Sequence, residues 1–132
     1  MTDIRPLNDR VAVAPQITAD DVAAIAAAGY VAIVNNRPDD EEPGQPSGDA
    51  IRAAAEAAGL RYAAVPVGRE GIGDAQLAAM TAAIAEADGP VLAFCRSGTR
   101  SCHLWALAAA RIASPLGWPG SSSSGRLLTI AT

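Results

Sequence analysis

A chain of 132 residues, half of it apolar, suits one domain around a single core. Its ten arginines are outnumbered by fourteen acids for a net charge of −4, and no basic run relieves that balance, which excludes the electrostatic footprint of a nucleic-acid binder. No apolar stretch approaches the ~20 residues needed to cross a bilayer, and Met1–Asp9 is polar with no signal-peptide core, so no membrane contact and a cytoplasmic location are expected.

Arg10–Ala14 alternates and stops at Pro15, as a short first strand does. Thr18 is a helix cap, Asp20 and Asp21 suit the positive end of the helix it opens, and Val22, Ile25 and Ala26 give that helix a buried face before Gly29 stops it. Tyr30–Asn35 is a nearly unbroken apolar run, the mark of a strand covered on both sides. A turn-rich acidic loop, Asn36–Pro46, leads to a second helix capped by Ser47 or Asp49, with Ile51, Ala54, Ala55 and Ala58 inward and Gly59 at its end. Arg61–Val65 is a third strand, broken by Pro66. Gly68–Gly73 forms a glycine-bearing loop, and Asp74 is expected to cap a third helix with Leu77, Met80 and Ile84 on one face, ending near Asp88-Gly89. Pro90–Phe94 is the fourth strand, followed by a helix from Ser101 to about Ala113.

This β-α alternation predicts an α/β fold: a mainly parallel central sheet of four to five strands flanked by helices. Residues 1–113 make up the expected domain. From Ser114 onward the chain is low in complexity and reads as a flexible tail, into which Trp118 and Leu127-Leu128 fall. In parallel sheets, sites gather at the carboxyl ends of strands. Three loops meet that condition: Asn36–Pro46, Pro66–Gly73 and Cys95–Arg100.

The last of these carries the chemistry. Cys95-Arg96-Ser97-Gly98-Thr99-Arg100-Ser101 joins an apolar strand to a helix. Such a turn aims successive backbone N–H groups and a helix N-terminus at one point. A thiol placed there is pushed towards thiolate, the reactive form, so Cys95 reads as an activated nucleophile in an anion-binding nest. Arg100 supplies a planar fork for an oxyanion, and Arg96 adds charge at the rim. Ser97, Gly98 and Thr99 act through their N–H groups, Gly98 also permitting a positive φ. Ser101 caps the helix and is within reach of the sulfur.

Around that centre, Arg37 and Glu42 are expected to pair and shape the site edge, and Glu70 and Asp74 are the nearest carboxyls on the loop after the third strand. Asp39, Asp40 and Glu41 read as a solvated acidic turn, Cys102 and Trp105 as core, and His103 as a surface or packing residue. Two cysteines fit a reducing compartment, and a single histidine with no Cys-x2-Cys argues against zinc. No metal and no cofactor are expected.

Pro90–Ala106, Ile33–Ser47 and Arg61–Val67 together resemble a bacterial family, the phosphatase-like domain of beta-lactamase hydrolase-like proteins, also known as a sulfur transferase family. The resemblance covers about Val11–Ala113. It is strongest in Asn35–Pro46 and in Cys95–Ser101. It implies the fold of dual-specificity phosphatases, with the cysteine loop between the last strand and a helix. It also implies a partner of the metallo-hydrolase type in sulfide metabolism, since the family's domain can be fused to one.

Three departures from the phosphatase pattern matter. Phe94 stands where those enzymes carry histidine, and four residues rather than five separate Cys95 from Arg100. Their general acid, an aspartate just after a strand like Arg61–Val67, has no clear counterpart at Gly68 or Arg69. Phe94–Ser101 is instead similar to the active loop of single-domain rhodaneses. A ring one residue shorter encloses a smaller anion. The expected activity is therefore sulfur transfer through a Cys95 persulfide, with phosphomonoester hydrolysis through a phosphocysteine second and non-catalytic anion binding third. The substrate is a small molecule bearing sulfane sulfur or phosphate.

Overall fold

In the computed structural model, which describes residues 3–113, five strands and four helices alternate along the chain. The strands are β1 (Arg5–Pro6), β2 (Val11–Ala14), β3 (Ala32–Asn35), β4 (Arg61–Ala64) and β5 (Val91–Phe94). The helices are α1 (Ala19–Ala27), α2 (Gly48–Ala57), α3 (Asp74–Glu86) and α4 (Thr99–Ala113). The sheet order is β1-β2-β5-β3-β4, parallel throughout except for β1, which pairs antiparallel with β2 at the edge. The α/β fold with a mainly parallel sheet is thus the one the sequence predicts. The tail beyond Ala113, with Trp118 and Leu127-Leu128, lies outside the described residues.

Alternation along the strands divides the core in two. Val11, Val13, Ala32, Val34, Val91 and Ala93 face Met80 and Ile84 of α3 and Leu104 and Ala108 of α4. Ala12, Ala14, Ile33, Leu92 and Phe94 face Val22 and Ile25 of α1 and Ile51 and Ala55 of α2. Small side chains on both faces let the helices sit close to the sheet, and close packing replaces the large anchors this sequence lacks.

Several boundaries differ from expectation for local reasons. β1 is a two-residue strand whose return is set by Leu7 and Asn8, both donating their N–H to Val11 O; two residues leave no periodic trace in sequence. Thr18 and Ser47 are the helix caps, their side chains accepting from Asp21 N and Ala50 N. Asp74 does not cap α3. Gly73 takes that place, and Gln76 Oε1 reaches back to accept the Gly73 N–H at 2.9 Å. α4 begins at Thr99, two residues before the expected Ser101, so Arg100 belongs to the helix.

β5 is the central strand, and its end is level with its neighbours: Ala14 and Asn35 both pair with Phe94, and Asn35 pairs with Ala64. The next residue along β5 is Cys95. It therefore emerges in the middle of the sheet's carboxyl edge, with the β2, β3 and β4 exits on either side.

Candidate active site

Cys95 is fully buried, and its sulfur accepts the Gly98 N–H at 3.1 Å. This close return has Gly98 at φ +93°, a conformation that residues with side chains rarely adopt, while a Cβ there would make only ordinary contact, 3.5 Å, with the Ala14 carbonyl. Burial pushes the thiol up, but the Ser101 N–H and hydroxyl and the Ser97 and Gly98 N–H groups outweigh it and hold Cys95 below its ordinary value. Gly98 immediately precedes α4 and Ser101 lies in its first turn, where the N–H groups have no partner within the helix. The Ser97 and Thr99 hydroxyls bond each other at 3.1 Å at the rim, and the Thr99 N–H, expected in the nest, turns to the Ser97 hydroxyl at 3.4 Å, so of this pair only the Ser97 N–H serves the sulfur.

Ser101 is buried, and its hydroxyl donates to Asn36 Oδ1 at 2.7 Å. A hydroxyl has one hydrogen, and two acceptors compete for this one: the amide oxygen and, when ionised, the sulfur. Asn36 also donates through its side chain to Val65 O and through its backbone to Phe94 O, and accepts from Val67 N. One buried asparagine thus ties β5, the loop after β4 and α4 together behind the thiol.

The loop after β3 supplies a side-chain network. The Arg37 side chain is only 3 % exposed. It donates to Glu41 and Glu42 at 2.8 Å each and to Gln16 Oε1 at 3.0 Å. The Arg37–Glu42 pair is the one expected from sequence. Glu41 is not the solvated residue expected there. It grips Arg100 with both oxygens, at 2.6 and 2.8 Å. Bonding to Arg100 first, then to Arg37, outweighs burial and draws Glu41 down to about 2. Arg100 is raised, chiefly by Glu41, with the nearby Cys95 adding to it. Asp39 accepts the Gly48 N–H at 2.7 Å, and Gln45 folds the turn by accepting from Glu41 N and Glu42 N.

Arg96 lies at the rim, its side chain 67 % exposed and 3.4 Å from Glu42. Four arginines (37, 69, 96 and 100) and three carboxylates (Asp40, Glu41 and Glu42) line a cleft of about 480 Å³ beside the cysteine loop. From the loop after β4 the lining takes Gly68 and Arg69 and no carboxylate. Glu70 is exposed beside Gly68. Asp74 is not brought to the site: it is 97 % exposed and 4.0 Å from Arg111, in the last turn of α4, whereas Cys95 meets the first. Cys102 is half-buried against the α3–α4 side of the core, and His103 is exposed. Among the described residues, no three His, Cys, Asp or Glu side chains are grouped to hold a metal ion.

The description "Beta-lactamase hydrolase-like protein, phosphatase-like domain" matches residues 3–112. The chain belongs to that family. A beta-lactamase hydrolase-like protein of Xylella fastidiosa is 46 % identical over 101 residues, which cover 76 % of this chain and 23 % of the relative. The chain thus spans less than a quarter of the length of the curated relatives it matches. Among solved structures, a Neisseria meningitidis protein described as a candidate phosphatase is 33 % identical with a TM-score of 0.73, covering 97 % of this chain and 85 % of that one. Tk-PTP in its active form, 19 % identical, covers 97 % of this chain and 81 % of its own with a TM-score of 0.59, a likeness of fold. The domain is phosphatase-like in architecture.

Two site residues left no sequence signal of their own. Asn36 sits in a polar loop like any other, and Glu41 is one of four consecutive acids. What could have marked Glu41 is its spacing, four residues after Arg37, but such pairs are common on surfaces.

Proposed function

We propose that this domain is a cysteine-dependent sulfurtransferase working on a phosphatase-like scaffold. The observation that carries the reading is the state of the cleft's carboxylates. Expelling an alkoxide from a phosphate monoester calls for a proton donor. The loop after β4 offers glycine and arginine there, Glu41 and Glu42 are ion-paired to arginines, and the third lining carboxylate, Asp40, is an exposed residue of the acidic loop. Sulfur transfer needs no such donor. The Cys95 thiolate attacks the outer sulfur of a sulfane donor, and a new S–S bond forms. The donor's own S–S bond breaks, and its electron pair leaves on the inner fragment as sulfite or a thiolate, both stable anions. The N–H groups of Ser97, Gly98 and Ser101 then surround the persulfide, with Arg100 alongside.

Phosphomonoester hydrolysis is the second reading, favoured by the fold and by the description of the Neisseria protein. Non-catalytic anion binding would use the same nest without Cys95 chemistry. Because the relatives are more than four times longer than the matched segment, we further propose that a metallo-hydrolase-type unit in sulfide metabolism receives the sulfur, in the cytoplasm.

Mass spectrometry of protein incubated with thiosulfate or glutathione persulfide tests this. One added sulfur, about 32 Da, is expected on Cys95 and absent from Cys95→Ser. Alkylation of Cys95 against pH should show a midpoint below the ~8.5 of a free thiol. Inserting one residue between Thr99 and Arg100 should lower sulfur transfer and raise aryl-phosphate hydrolysis. Ready hydrolysis of aryl phosphates through Cys95, with no persulfide ever formed, would overturn the proposal in favour of the second reading. Unchanged anion binding in Cys95→Ser, with neither reaction, would leave the third.

A further inference from the structure

Glu41 presents a paradox. It is an ionised carboxylate lining a cleft whose cysteine nest and arginines suit an anion, and by charge alone it repels that anion. Its contacts explain why it is there. A guanidinium has five N–H donors in one plane. Nη1 of Arg100 uses both of its hydrogens, on Glu41 Oε2 and on Val67 O at 2.8 Å, and Nη2 uses one on Glu41 Oε1. The outer edge of the guanidinium is therefore filled. The donors left are Nε–H and the second Nη2–H, which lie side by side on the other edge, and Arg100 has the Cys95 sulfur as a neighbour.

Glu41 is in turn fixed from behind. Arg37 Nε holds Oε1, and Gln45 accepts the Glu41 N–H at 3.0 Å. Arg37 is anchored to the end of β3, its N–H donating to Asn35 Oδ1 at 2.9 Å. A rigid chain thus runs from the sheet through Arg37 and Glu41 to Arg100.

We propose that Glu41 is a positioning residue: by closing the outer edge of Arg100 it fixes the inner edge as a two-donor fork for the anionic group approaching Cys95. The site takes an anion with two acceptor atoms on one side, met by that fork and by the loop N–H groups. Without Glu41, Arg100 keeps only the single Val67 carbonyl as an anchor, and the plane of its guanidinium must be ordered anew for each substrate. The inference holds for sulfur or phosphoryl transfer alike, since either anion meets Arg100.

Charge and position predict opposite signs for Glu41→Gln, which removes the negative charge and one strong partner of Arg100. The test compares alkylation of Cys95 by iodoacetate and by iodoacetamide at one pH. The ratio of the two rates cancels the thiolate fraction and reports how well the site guides a carboxylate onto the sulfur. Glu41→Gln should lower that ratio by about fivefold, the scale of one misplaced charge-assisted contact. Glu41→Asp, which keeps the charge on a shorter arm, should fall between. Thermal melting identifies any variant that fails to fold, and Glu41→Ala then replaces it. An unchanged or raised ratio in a folded variant would overturn the proposal, because a role through charge alone strengthens anion approach when the carboxylate is removed. The readout needs no sulfur transfer, so failure of the sulfurtransferase reading and failure of this one are separable.

Discussion

The Cys95 loop and the Pro38–Gln45 loop border the same cleft and are held together by opposite means. The first is a backbone structure: the sulfur is met by N–H groups from residues two to six positions away, and the side chains of Ser97 and Thr99 turn to each other. The second is a side-chain structure. Arg37, Glu41, Glu42 and Gln45 define it, and Glu41 reaches a partner 59 residues along the chain. A cradle of main-chain donors depends on conformation and tolerates substitution at its exposed side chains. A lattice of charged side chains depends on identity at every node. Anion chemistry here draws on both, with Arg100 as the joint between them.

That joint is where the comparison is most easily broken. Arg100→Ala removes the fork and leaves the nest, so turnover should fall on the order of 100-fold, as when one oxyanion donor is deleted. Arg96→Ala should cost only about threefold, since an exposed side chain 3.4 Å from Glu42 gives up little when removed. Steady-state rates of persulfide formation on the two variants decide it. Equal, small losses would mean that the backbone cradle works alone.

The same division explains how far the sequence can be read. β2, β3 and β5, the Thr18 and Ser47 caps and the cysteine loop all follow from patterns within a dozen residues, and each is found where those patterns place it to within one or two positions. Asn36 and Glu41 were not legible because their roles are set by partners 65 and 59 residues away. Composition makes them look like solvated loop residues. Asp74 failed as a cap for a related reason: the choice between Gly73 and Asp74 turns on where Gln76 can reach, which no rule of propensity ranks.

A smaller effect separates the two loops in acid. Glu41 has an ordinary value of 4.5 and is held at about 2 by Arg100 and Arg37. A carboxylate depressed on folding adds stability that is fully present above the ordinary value and is lost as pH falls through the folded one. Wild-type protein should therefore lose this increment between pH 4.5 and about 2, and Glu41→Gln should lack that part of the acid dependence. Urea melts of both proteins at stepped pH measure it. Because the pair is about a quarter exposed, salt should shrink the difference. Parallel acid profiles for the two proteins would show that the Arg37–Glu41–Arg100 lattice contributes nothing to stability.

The least change is expected from the two carboxyls nearest in sequence to a phosphatase's acid. Asp74 is almost wholly exposed, and its 4.0 Å contact with Arg111 is a surface pair worth well under about 1 kcal/mol. Glu70 is exposed beside Gly68, outside the lining of the cleft. Asp74 lies at the far end of α4 from Cys95, and Glu70 stands at the exposed margin of the loop after β4. Asp74→Asn and Glu70→Gln should each leave sulfur loading within about twofold of wild type, against the 10²–10⁴ that a true general acid supplies. Any hydrolysis of aryl phosphates should keep the same dependence on leaving-group acidity in both variants. Should either one abolish turnover of alkyl phosphates, whose leaving groups cannot depart without a proton, the missing acid would be found. The cleft's balance of arginine and carboxylate would then serve phosphate instead of sulfur.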